Sequence, residues 1–75
     1  KLAQFIQDKC EQGPEFKIKS SVLYHIYRIW CDEARIKPLN MNQFAKDMQQ
    51  SGYQKQRNNG SLWIGLRINA MGHME

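Results

Sequence analysis

The chain has 75 residues, 41% of them hydrophobic and 11% aromatic, with a formal net charge of +4. That length allows one small domain, which hides only about 60% of its unfolded surface, and the aromatic content excludes a chain that stays disordered for want of a core. No run approaches the ~18 apolar residues of a membrane span and no charged-then-apolar secretion signal opens the chain; it opens on Lys1, so a fragment of a larger protein is expected.

The first helix is predicted over residues 2–10. Leu2, Phe5, Ile6 and Cys10 recur at helical spacing, with Gln4, Asp8 and Lys9 on the other side. In EQGPEF, Gly13 can leave helical space and Pro14 cannot continue a helix. FKIK alternates apolar and basic, so residues 16–18 read as one short strand. The second helix opens at Ser20 or Ser21, either of which can cap the first free amides. It carries Leu23, Ile26, Tyr27, Trp30 and Ala34 on one stripe, with His25, Arg28 and Asp32 roughly opposite, and Pro38 closes the segment. His25 therefore reads as a solvated residue rather than a catalytic one. Cys10 and Cys31, both on apolar faces, read as buried thiols of a reducing compartment. Neither pairs with His25 or His73 at a zinc-ligand spacing.

The third helix opens at Asn40, with Gln43 three positions on, as in a capping box. Met41, Phe44, Ala45 and Met48 form its inner face. Asn42, Gln43, Lys46, Gln49 and Gln50 form its outer face, and Gly52 supplies a left-handed stop. NNG then signals a hairpin turn. A two-residue loop would pair Arg57 with Leu62 and mix charge with aliphatics on one face. A three-residue loop, 58–60, puts Gly60 at the left-handed position. It separates Leu62, Ile64 and Leu66 from Tyr53, Lys55, Arg57, Trp63 and Arg67, and sets Tyr53 opposite Gly65. A one-residue slip exchanges every side chain's face, so the cleaner separation favours the three-residue loop. INAMGHME, at the end, has no clear period and is expected to fray.

Helix, short strand, helix, helix, hairpin is the order of a winged helix. The predicted fold is thus α+β: three helices, a short strand and a C-terminal hairpin wing in one domain spanning residues 1–75. The short strand is expected to join the hairpin, because an isolated hairpin is marginal in water.

Charge divides the chain. Residues 1–34 balance five basic groups with five acidic ones, whereas residues 35–69 carry Arg35, Lys37, Lys46, Lys55, Arg57 and Arg67 against Asp47 alone. Such polarisation points to a polyanionic partner. On the third helix, Asn42, Gln43, Gln49 and Gln50 suit base edges, amides matching adenine's paired donor and acceptor, and Lys46 suits a phosphate. On the wing, Lys55, Arg57 and Arg67 suit phosphates and Trp63 a base or sugar. The competing readings are a solvated amide face, ordinary surface cations and a tryptophan packed over its neighbours.

The ordered pieces SSVLYHIYRIWC, PLNMNQFAKDM, GYQKQR, NG and WIGLRI resemble the C-terminal domain of phage- and plasmid-type replicative primase-helicases, shared with the poxvirus primase-helicase. The resemblance covers about residues 20–68. It rests on Leu23, Tyr24, Tyr27, Trp30 and Cys31, then Pro38, Leu39 and Phe44, then Gly52, Tyr53, Lys55, Arg57, Trp63 and Gly65; Asn40 stands where the family more often has Ser. It implies a parent chain with a nucleotide-dependent helicase module upstream, often preceded by a primase module. It also implies a cytoplasmic role in replication initiation, with this domain helping to engage duplex or single-stranded DNA, oligomeric through the parent. No GxxxxGK[ST] stretch, nucleophile–base pair or carboxylate cluster occurs here, so neither catalysis nor a cofactor or metal is expected of these residues. The alternative is a docking module that binds a replication partner or regulates the helicase.

Overall fold

Residues 2–57 and 60–69 are described by the computed structural model. Their elements are α1 (Leu2–Lys9), β1 (Cys10–Lys19), α2 (Ser20–Glu33), α3 (Met41–Gln50), β2 (Gln54–Arg57) and β3 (Ser61–Ile68). The three strands form one antiparallel sheet in the order β1-β3-β2. This is the expected α+β architecture, consistent with a small winged-helix-like fold. Asn58, Asn59, His73 and the expected fraying of the tail fall outside the described residues.

Apolar spacing explains the helices. Phe5 and Ile6 of α1, Leu23, Tyr27, Trp30 and Cys31 of α2, and Phe44 and Met48 of α3 meet Trp63 and Leu66 of β3 in one core. Aromatic rings dominate it. Phe5 meets Tyr27 edge-on at 5.4 Å, and Tyr27 meets Phe44 at 4.5 Å between centroids. Trp30 donates its indole N–H to Asp8 Oδ2 at 3.1 Å, which satisfies its polar edge. Cys10 and Cys31 are buried free thiols. Ala34 is exposed, because α2 ends before it, and Met41 is 48% exposed at the start of α3 rather than inside.

Four further expectations are corrected. The first strand spans ten residues, not three, and follows α1 directly at Cys10. Gly13 and Pro14 end no element; they lie where the β1–β3 register shifts between Gln12 and Lys17, leaving four β1 residues opposite Gly65. Neither Ser20 nor Ser21 caps α2: its N-cap is Lys19, with no side-chain cap bond. Pro38 does not end α2 either. Arg35 takes a left-handed φ of 59°, its amide donating to Asp32 O at 3.2 Å and that of Ile36 to Cys31 O at 2.8 Å, the bond pair of a Schellman stop.

Residues 34–40 are fastened to α2 by two phenols. Tyr24 Oη donates to the Leu39 carbonyl at 2.8 Å, and the Leu39 amide donates to Tyr27 Oη at 3.1 Å. The next residue, Asn40, accepts from the Gln43 amide at 2.8 Å and so caps α3 as expected. The start of α3 is thereby fixed to the aromatic core. Its end repeats the Schellman bonds, Gly52 N to Gln49 O and Tyr53 N to Met48 O, with Gly52 at φ 98°.

The hairpin has the expected register. Arg57 pairs with Ser61 and Lys55 with Trp63, leaving 58–60 as the loop, and Gly60 has φ 111°. The faces are not as expected. Trp63 and Leu66 are both buried, whereas Leu62 and Ile64 are only partly so. Residues three apart in a regular strand point to opposite faces. Gly65, at φ 92°, interrupts the alternation and lets both large side chains enter the core.

Candidate nucleic-acid interface

On α3, Asn42, Gln43, Lys46, Gln49 and Gln50 are all exposed. Lys46 follows Asn42 by four residues, and Gln49 and Gln50 follow Lys46 by three and four, so they form a single stripe. Gln43 belongs beside it but is partly committed: its side-chain amide donates to Asp47 Oδ1 at 3.0 Å. Asp47, the one carboxylate of the helix, keeps its charge and sits beside Gln43 rather than on the stripe. The stripe therefore offers an ammonium group and three amides with no acid among them.

The structure sorts the hairpin residues into three groups. Arg57 is exposed and pairs with Ser61 beside the loop. Lys55 is half-buried, its ammonium 5.4 Å from the centroid of the Trp63 ring, a cation–π distance. Trp63 is 1% exposed, so it has no free ring face for a base or sugar; the sheet delivers it to the core instead. Stacking by Trp63 is thus overturned, because the register that pairs it with Ile18 and Lys55 puts it under the helices.

Arg67 is also reassigned. Its Nε donates to Glu11 Oε2 at 3.1 Å, and its guanidinium lies 3.9 Å from the centroid of the Phe16 ring. It follows Leu66, which points inward, and so takes the opposite face from Lys55. Arg57 lies opposite Ser61, six β3 positions from Arg67, so at ~3.3 Å per residue the two are roughly 20 Å apart along the sheet. The basic residues of 35–69 therefore do not gather on a single surface. Lys46 on α3 and Arg57 with Lys55 on the hairpin remain, and α3 packs against β2.

The sheet order adds two cations that the sequence-based set lacked. Lys17 and Lys19 of β1 are exposed and pair with Ile64 and Leu62, beside the hairpin's own residues. The basic–apolar alternation of FKIK was their signal, but the charge balance of the first half concealed it.

Among the described residues, no helix is long and apolar enough to cross a membrane. A search of curated proteins finds no match. The model of the poxvirus D5 protein-like family matches residues 1–69, nearly the whole chain. The ring-lined core, the capped α3 and the three-stranded sheet accordingly belong to a member of the poxvirus D5 protein-like family, related to the poxvirus primase-helicase.

Proposed function

We propose that this chain is a DNA-engaging domain of a primase/helicase-type replication protein, touching DNA through α3 and the hairpin. The acid-free stripe Asn42–Lys46–Gln49–Gln50 carries this reading, because a surface of amides and an ammonium group fits base edges and phosphates together. Arg57 and Lys55 extend the phosphate contacts along the wing. The chain itself does no chemistry in this reading; catalysis belongs to other modules of the parent protein.

Titration of labelled DNA against salt tests it. Each lost phosphate contact should flatten the log–log slope by about 0.9 on duplex. Lys46→Ala and Arg57→Ala should each do so and weaken binding, whereas Arg67→Ala should leave the slope unchanged. Absence of binding at low salt overturns the reading. Non-specific affinity should be roughly micromolar or weaker at physiological salt, so a multimeric parent should bind more tightly than the single domain through effective concentration.

One observation favours the docking alternative. An open recess of about 410 Å³ on the outer side of α2 is lined by His25, Arg28, Ile29, Asp32, Ile36 and Pro38. Ile29 is 46% exposed there, and Val22, two turns earlier on α2, is 42% exposed. In this reading Ile29→Glu abolishes a partner contact and leaves DNA titrations unaltered.

A further inference from the structure

We infer that the sheet face turned away from the helices is a second binding surface, for the sugar–phosphate backbone of a DNA strand; this rests on the DNA-engaging role proposed above. The rung Ile18–Trp63–Lys55 faces the helices, since Trp63 is buried and Ile18 packs on the core. The flanking rungs, Lys19–Leu62–Gln56 and Lys17–Ile64–Gln54, therefore point the other way. Leu62 and Ile64 are partly exposed and stand outside the core cluster. Both lysines and both glutamines are exposed.

The face thus reads, strand by strand, as two ammonium groups, two aliphatic side chains and two amides. Lys17 and Lys19 are two strand residues apart, about 6.6 Å. At the Lys19 end of this face lies a recess of about 270 Å³ lined by Lys19, Ser20, Ser21, Gly60, Ser61 and Leu62. The acids of β1, Glu11 and Glu15, lie on the other side of Lys17 from Lys19 and the recess, and Glu11 is already paired with Arg67. Charge complementarity selects a polyanion, and the aliphatic row between cations and amides selects one with apolar units between its charges. Deoxyribose between phosphates has that alternation.

The experiment is a salt-dependent titration of labelled single-stranded and duplex DNA with the wild type, Lys17→Gln/Lys19→Gln, Lys17→Arg/Lys19→Arg, Arg57→Gln and Lys37→Gln, with circular dichroism to establish folding. The inference expects the Lys→Gln pair to flatten the slope by about 1.8 on duplex or about 1.4 on single strands. The arm showing the loss identifies which form lies on the sheet. The Lys→Arg pair should keep the wild-type slope, and Lys37→Gln, in the α2–α3 loop, should match wild type. Slopes for the Lys→Gln pair equal to wild type on both DNAs, while Arg57→Gln weakens binding, overturn this inference and leave the hairpin reading standing; the lysines then only guard an edge strand against pairing. Equal loss in Lys37→Gln overturns it too, as a bulk charge effect. Absence of wild-type binding at low salt overturns both.

Discussion

Arg35 and Gly52 occupy the same position in two helix stops, and only one of them suits it. Each is left-handed and followed by the same pair of capping bonds. A side chain in that conformation costs about 1–2 kcal/mol relative to glycine. Arg35→Gly should therefore raise stability by about 1 kcal/mol, read as a higher urea midpoint with an unchanged m-value; a lower midpoint would show that the arginine side chain contributes more than its backbone costs. Trp63 makes the opposite prediction. It fills the centre of the core, so Trp63→Ala should cost about 3–5 kcal/mol and leave little folded protein in a domain of this size. Lys55→Met, which keeps the aliphatic stem and removes the ammonium above the ring, should cost under about 1 kcal/mol. The two denaturation curves together separate the tryptophan's packing from its cation contact.

At the scale of elements, local signals were readable and long-range ones were not. Asn40 and Gln43 announced the start of α3 because a cap acts within one turn, and Asn40→Ala should cost about 1 kcal/mol by thermal or urea denaturation. NNG announced a three-residue loop for the same reason. Helix 2's stripe was legible because four turns repeat it. The length of β1 was not, since Gly13 and Pro14 punctuate a helix and an irregular strand alike, and only pairing with β3 shows which. Gly65 concealed the change of face in β3: it has no side chain to enter the pattern, yet its φ decides where Trp63 and Leu66 go. Gly65→Ala should cost about 1–3 kcal/mol by urea denaturation, through backbone strain alone, for no atom lies within 4 Å of an added Cβ. The candidate site was half legible. The α3 stripe follows from helical geometry, but the Arg67–Glu11 pair joins residues 56 apart in sequence, beyond the reach of any local pattern.

For the whole molecule, burial of ionisable groups sets the response to alkali. Burial pushes the Cys10 thiol up to about 11 from its usual 9.0, and raises the Tyr27 and Tyr53 phenols too. Each folded-state value lies above the unfolded one, so folding favours the neutral form. That contribution is fully present below the thiol's ordinary value and is lost as pH rises through about 11. Urea midpoints should hold steady on the neutral side and fall between about pH 9 and 11, and Cys10→Ala should soften the fall; a flat profile would remove the thiol from the account. The architecture also decides where the chain can be lengthened. Lys9 and Cys10 are the last helical and first strand residues of one continuous path, and Lys19 and Ser20 do the same in reverse, with nothing between them. A residue spliced into either junction would turn the neighbouring strand over and present its solvent side to the core. Reporter tags and linkers therefore belong at Lys37, between the helix stop at Arg35–Ile36 and the tethered Leu39, where added length leaves every strand register untouched.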